Sequence, residues 1–315
     1  MEIYFIVAAA VLLLLLCVTV YVAWLLFSLA CAKKIPRAVA PLMSGLIDGY
    51  TLDDIEMVKE GKAFYASEPR ESWYTTSHDG LKLHAEFIPC DDARATVMLF
   101  HGYRSSAIHD FSGVLTYYRS LGLNILLVDQ RSHGQSEGKY ISFGVLERYD
   151  VLGWINEHNR RFGEDVPIIL DGISMGGATV AYAAGLELPS NVKGIIDDCG
   201  FSYPKAQIQY VMSLMKIPVF PFYHIANTVC RVMARFSFSD VDARATLKKT
   251  GIPCMFIHGE DDDFVLCEMG KECYEACASK KSIFICPGAG HGMSYVVENE
   301  KCKVLLREFI DDVLA

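Results

Sequence analysis

Between Ile3 and Ala32 the 315-residue sequence has no charged side chain, and the run is dominated by Leu, Val and Ala. About 20 apolar residues cross a bilayer as a helix, so this run spans one with tilt to spare. It accounts for much of the high hydrophobic share of 52% and the mean hydropathy of +0.24. No Lys or Arg precedes it, whereas Lys33, Lys34 and Arg37 follow at once. That asymmetry places the C-terminal part in the cytoplasm of a single-pass cell-membrane protein. A cleaved signal peptide needs a basic start and a shorter apolar stretch, and both are missing. Ala30-Cys31-Ala32 has the look of a cleavage triplet, and a lipoprotein-type cut before Cys31 is the competing reading. Ser28, however, stands where such a site has Leu.

Other absences narrow the function. There is no CxxC pair and no His/Cys cluster, so no metal site is indicated. The 11 cysteines are odd in number and lack framework spacing, which reads as buried, reduced thiols and not as disulfides. Net charge is −9, and nothing basic clusters outside the juxtamembrane residues, which argues against nucleic acid as a partner. There is no internal repeat.

Residues 33–69 read as a juxtamembrane linker with a short helical piece, interrupted by Pro36 and Pro41 or lying on the membrane surface. From residue 70 the pattern becomes regular. Trp73–Thr76 and Leu81–Ile88 flank an Asp79-Gly80 turn, the mark of an antiparallel hairpin. Short, solidly apolar runs follow at Ala95–Phe100, Asn124–Val128, Val166–Leu170, Val192–Ile196, Pro253–Ile257 and Ser282–Ile285. Such runs fit strands buried on both faces of a parallel sheet. Helical spacing appears over Glu147–Phe162 and in the stripe Cys302, Leu305, Leu306, Phe309, Ile310 and Val313. The alternation predicts a doubly wound, mostly parallel α/β sheet over 70–315. One insertion, about 200–248 and most apolar from Tyr203 to Phe238, predicts a helical cap over the C-terminal edge of that sheet.

The strand Pro167–Leu170 runs into Asp171-Gly172-Ile173-Ser174-Met175-Gly176-Gly177. This is G-x-S-x-G, a sharp strand-to-helix turn that exposes the serine Oγ, with glycines where a Cβ would clash. A serine hydroxyl needs a base, and the base needs a carboxylate to hold it. After the strand at 253–257 comes His258-Gly259-Glu260-Asp261-Asp262-Asp263-Phe264-Val265, with four acids in a row. After the strand at 282–285 comes Pro287-Gly288-Ala289-Gly290-His291-Gly292. Both loops leave strand C-termini, where sites in open α/β sheets lie, so His291 is the candidate base. The tetrahedral intermediate of acyl transfer also needs two backbone N–H donors. Met175 follows the serine, and Tyr103 lies in the loop after the first central strand.

These motifs together resemble the α/β-hydrolase superfamily, in the branch of serine aminopeptidases and monoacylglycerol lipases that in bacteria often carries an N-terminal membrane segment. The resemblance covers residues 70–315. His101-Gly102 matches the oxyanion loop, and Asp129-Gln130-Arg131-Ser132-His133-Gly134-Gln135-Ser136 resembles the D-x-R-x-H-G-x-S turn. His258-Gly259 with Asp262 and Val265 matches H-G-x-x-D-x-x-V, whose Asp is the triad acid; that register selects Asp262. Ser132 stands where the family often has Gly, and Asp129, Arg131 and His133 read as structural ties between loops. The resemblance implies a serine hydrolase with Ser174, Asp262 and His291 as triad, cleaving a carboxylic ester or related acyl bond without a cofactor. An aminopeptidase is the alternative, needing an acidic anchor for which only Asp240 and Asp242 offer themselves. A catalytically dead binding protein is a further reading, set against the intact motifs. Among the cap residues, Met215, Phe220, Phe222 and Tyr223 are the candidates for an apolar substrate pocket. Protease added to intact cells is expected to leave the C-terminal part uncut; digestion without lysis, or a mature chain beginning at Cys31, would overturn the orientation.

Overall fold

The computed structural model describes residues 1–34 and 55–315; Pro36, Arg37, Pro41 and part of the expected linker lie outside them. The apolar run is one helix, α1 (Glu2–Cys31). It is long and apolar enough to cross a membrane. Within the stretch assigned to a linker, α2 (Glu56–Ser67) packs on α3 (Ala107–Ser120). Its Phe64 and Tyr65 lie against the buried core, so this piece belongs to the globular body and not to a membrane surface.

Eight strands follow: β1 (Glu71–Thr76), β2 (Lys82–Ile88), β3 (Ala95–Phe100), β4 (Leu123–Asp129), β5 (Ile168–Ile173), β6 (Val192–Asp198), β7 (Cys254–Gly259) and β8 (Lys281–Cys286). They form one sheet in the order β1-β2-β4-β3-β5-β6-β7-β8. β1 pairs antiparallel with β2, and β2 antiparallel with β4; every pairing from β4 to β8 is parallel. The hairpin turn and the solid apolar runs thus become the elements that their patterns imply. The two faces of β3 show why its run is continuous: Val97 and Leu99 enter one core, Met98 and Phe100 the other. On one side lie α4 (Glu147–Phe162) and α5 (Met175–Ala183); on the other lie α3 and α11 (Asn299–Leu314), whose Cys302, Leu306 and Ile310 are buried. The remaining body helices are α8 (Ala243–Leu247), α9 (Cys267–Ala276) and α10 (Ser294–Val297).

The cap is built of α6 (Pro204–Leu214), α7 (Phe222–Val229) and a π-helical turn at Cys230–Ala234. Sequence reading kept α1 apart from this domain, but its last turns dock on α7. Ala23, Phe27, Leu29 and Cys31 are buried, and Ala32 bridges Tyr140. All 11 cysteines are free thiols.

The D-x-R-x-H-G-x-S turn does hold loops together. Asp129 accepts from Gln135 N–H at 2.9 Å and lies 2.8 Å from His84 Nδ1. The buried Arg131 guanidinium donates two bonds of 2.6 Å to Asp150 and two of 3.1 Å to Asp79. Ser132 takes a left-handed φ of 67°, a conformation glycine adopts without strain; its hydroxyl donates to Tyr140 O at 2.8 Å.

At the end of β5, Asp171 is buried beneath the serine turn and accepts from Tyr118 Oη. Burial pushes its carboxyl up to about 8 from 3.8, against the opposing hydrogen bond from Tyr118. A folded-state value above the unfolded one favours the protonated acid in the fold. Its contribution is therefore complete below 3.8 and is lost as pH rises towards about 8. The thermal midpoint in detergent is expected to fall across that window, and Asp171→Asn, which stays neutral, should fall less steeply. Equal slopes in the two proteins would contradict this.

Candidate functional site

The site begins at the turn between β5 and α5. Ser174 has φ 57° and ψ −117°, a region that costs a non-glycine residue energy and survives only where the surroundings enforce it. The enforcement is close packing. A Cβ on Gly176 would lie 1.7 Å from Phe100 O, and one on Gly172 would lie 2.2 Å from the Gly176 backbone. The Ser174 N–H donates to Asp198 O at 2.7 Å, fixing the turn against β6.

Loops from β7 and β8 bring the other two side chains. Ser174 Oγ donates to His291 Nε2 at 2.8 Å, and His291 Nδ1–H donates to Asp262 Oδ2 at 2.7 Å. Asp262 is held in turn: its Oδ1 accepts the N–H groups of Phe264 (3.0 Å) and Val265 (2.8 Å). His258 Nε2 lies 3.3 Å from Oδ2 and 2.8 Å from Val265 O. Burial alone would raise the Asp262 carboxyl, but the hydrogen bonds from His258 and His291 outweigh it and hold the group well below the usual carboxylate range. Asp262 is therefore a charged acceptor throughout the physiological range. Asp261 and Asp263 flank it without contacting His291, so the register taken from the motif and the geometry select the same residue. His258 is the part that residue-by-residue reading passed over; it served there only as a motif letter, whereas in space it props the acid's loop.

Tyr103 stands in the loop after β3, and Met175 is the first residue of α5. Among the described residues neither backbone N–H has a hydrogen-bond partner. Unpaired donors beside a buried serine are costly unless something fills them. The loop carrying Tyr103 is braced on three sides. Gly102 N–H donates to Asp110 at 2.6 Å, and Arg104 N–H donates to His133 Nε2 at 3.1 Å. Since His133 Nδ1–H donates to Arg131 O at 3.0 Å, the ring must be neutral, and burial pushes its pKa down to about 3. On the third side the Tyr103 hydroxyl donates to Ala30 O at 2.7 Å, and Arg104 Nη2 donates to Ala32 O at 2.7 Å and Leu29 O at 3.0 Å. These bonds cap the C-terminal carbonyls of α1 with a cation, where the helix dipole favours one.

Ser174 opens into an apolar cleft. Met212, Met215 and Ile217 line it from α6 and the turn beyond; Tyr223 and Ala226 come from α7. Phe143, Phe238 and Phe264 close the sides, and Leu26, Phe27, Leu29 and Ala30 of α1 complete it. Of the four cap residues singled out from sequence, Met215 and Tyr223 are there. Phe220 is not: it is 77% exposed in the turn between α6 and α7. Phe222 also misses the cleft, because Tyr223 and Ala226 share the inward face of α7 and a residue one position away is rotated by about 100°. Asp240 and Asp242 do not reach the cleft either. Asp240 accepts from Ser237 N–H and Asp242 from Arg244. The ligating atoms of Cys199, Asp262 and His291 lie within 4.8 Å of one another. The carboxylate and the ring are already committed to hydrogen bonds, and burial pushes the Cys199 thiol well above its usual value, so the trio does not offer a metal a ready ligand set.

If Asp262 alone orients His291, Asp262→Asn should lower kcat by about 10⁴, the scale of the wrong-tautomer effect in such triads. Asp261→Asn and Asp263→Asn should change it less than threefold on the same scale. The reverse ranking in steady-state kinetics would move the acid by one position.

Comparison with known proteins bears on the fold that holds this arrangement. The family model described as serine aminopeptidase, S33, matches residues 91–236, which include Tyr103, Ser174 and Met175 but stop short of Asp262 and His291. An uncharacterized protein of Bacillus subtilis, YqkD, is 26% identical over 223 residues, 70% of this chain and 73% of its own length. The Pyrococcus furiosus esterase Pf2001 superposes with a TM-score of 0.63 at 20% identity, over 85% of this chain and 96% of that one. Est1E from Butyrivibrio proteoclasticus, solved with ferulic acid bound, gives 0.61 at 19% identity, over 76% and 98%. With a β5–Ser174–α5 turn of this geometry and a sheet of this order, the chain has the α/β-hydrolase fold, and residues 91–236 match the serine aminopeptidase S33 family model.

Proposed function

We propose that this protein is a membrane-anchored serine esterase that cleaves lipophilic carboxylic esters through an acyl-enzyme. The observation that carries the reading is the continuous relay from Asp262 through His291 to Ser174, with bonds of 2.7 and 2.8 Å, at the floor of an apolar cleft. In the first half-reaction Ser174 Oγ attacks the ester carbonyl carbon while His291 Nε2 takes its proton. The carbonyl oxygen, now an anion, accepts the N–H groups of Tyr103 and Met175. Collapse expels the alcohol, which leaves with the proton from His291. Water then enters, gives a proton to His291 and its oxygen to the acyl carbon, and the acid departs as Ser174 regains its hydrogen. Asp262, ionised throughout, holds the ring and stabilises the imidazolium that forms twice per cycle.

The apolar lining favours an ester over a peptide substrate. Among the described residues the cleft has Ser174, Gln207 and the phenols of Tyr103 and Tyr223 as its polar side chains and offers no carboxylate for a substrate's free amine. Membrane attachment rests on the length and composition of α1 and the basic residues after it. Burial of Ala23, Phe27 and Leu29 supports retention of the helix, since a cut before Cys31 would remove residues that the body packs around. A fluorophosphonate probe should label the parent protein at Ser174 and fail to label Ser174→Ala. Persistent labelling at another serine, or none in the parent, would defeat the esterase reading.

A further inference from the structure

The free part of α1 has the length of a bilayer. Ile3 to Val22 makes little contact with the body, and burial starts at Ala23. Twenty residues at 1.5 Å each extend about 30 Å, the thickness of the hydrocarbon core. Tyr21 and Trp24 stack at that boundary, 6.1 Å apart, where interfacial aromatic belts sit. Leu26, the first α1 residue lining the cleft, follows Trp24 by two positions, and Leu29 by five. That is about 3–8 Å along the axis, no deeper than one headgroup layer. The cap beside α1 agrees: Phe220 and Val232, on either side of α7, are 77% and 74% exposed, an apolar surface that water does not favour.

Resting on the esterase reading above, we propose that α1 is a wall of the substrate site as well as an anchor. The substrate is an acyl ester resident in the bilayer, whose chain slides along α1 from the membrane to Ser174. Because Tyr103 and Arg104 hold the carbonyls of Leu29, Ala30 and Ala32, the seat of α1 and the N–H donor at Tyr103 form one unit. A headgroup-level mouth also explains an apolar cleft in a site that must admit water for the second half-reaction: water enters from the polar layer and the chain from below it.

The test uses the full-length protein in phospholipid vesicles with two readouts. In the first, a diazirine-bearing fatty acyl ester dissolved in the vesicles is photolysed with Ser174→Ala protein, and adducts are expected on the peptide containing Leu26–Ala30. In the second, Leu26→Trp narrows the cleft and should lower the ratio of kcat/KM for palmitoyl over acetyl esters about tenfold, the scale of a few apolar contacts. Leu26→Ala should raise that ratio, so a fold lost to the larger side chain does not shield the idea. Leu14→Trp, within the free span, should leave it unchanged. Adducts confined to other segments, or a ratio indifferent to both Leu26 variants, overturn the proposal while the parent still labels with fluorophosphonate; loss of that labelling would instead defeat the esterase reading itself.

Discussion

Gly176 sits so close to the carbonyl of Phe100 that a methyl group there would overlap it, at 1.7 Å, and much of the site hangs on that contact. It presses the first turn of α5 between β3 and β5. Ser174 is thereby forced into a left-handed conformation with its Oγ turned out of the sheet. The same contact brings the turn that carries Met175 beside the loop that leaves β3 at Phe100. A backbone this strained persists because packing on every side leaves no alternative, and the surrounding parallel strands supply that rigidity.

Around this centre the protein uses ionised and neutral groups for different tasks. Asp262 is kept charged by donors, whereas His101 and His133 are kept neutral by burial. Neutrality lets each ring donate at one nitrogen and accept at the other. His101 donates to Gly102 O and accepts from Gln130 N–H; His133 bridges Arg131 O and Arg104 N–H. The loop that presents Tyr103 is thus stitched to the turn after β4. The charged Arg131, bonded to Asp150 and Asp79, anchors that turn to the hairpin and α4. A buried ion pair of this kind is weak evidence for stability, but here it sets the position of the loop that the site needs.

The same loop faces outward to α1. Its phenol remains a donor because burial pushes the Tyr103 hydroxyl up to about 12. The end of α1 and the loop after β3 therefore share one set of hydrogen bonds, so the apolar helix is structurally continuous with the wall of the cleft.

Local pattern decided the sheet, the hairpin and the serine turn, because their physics is local: two-face burial demands unbroken apolar strands, and tight backbone approach demands glycine at 172 and 176. It also placed His291 in its loop, while choosing Asp262 among four neighbouring acids required the family register. What tertiary structure alone decided involves residues whose sequence neighbourhood carries no directional signal. α1 is apolar on all sides, so nothing in its pattern marks Leu26 or Leu29 as cleft-facing; the cap and the Tyr103–Arg104 loop make that choice. Phe220 and Tyr223 read alike as cap aromatics, and only the turn between α6 and α7 sends one to the surface and the other inward. His258 became a support for Asp262 through the return of the chain at Val265. Composition set which residues could be buried; the meeting of distant segments settled which of them face the serine.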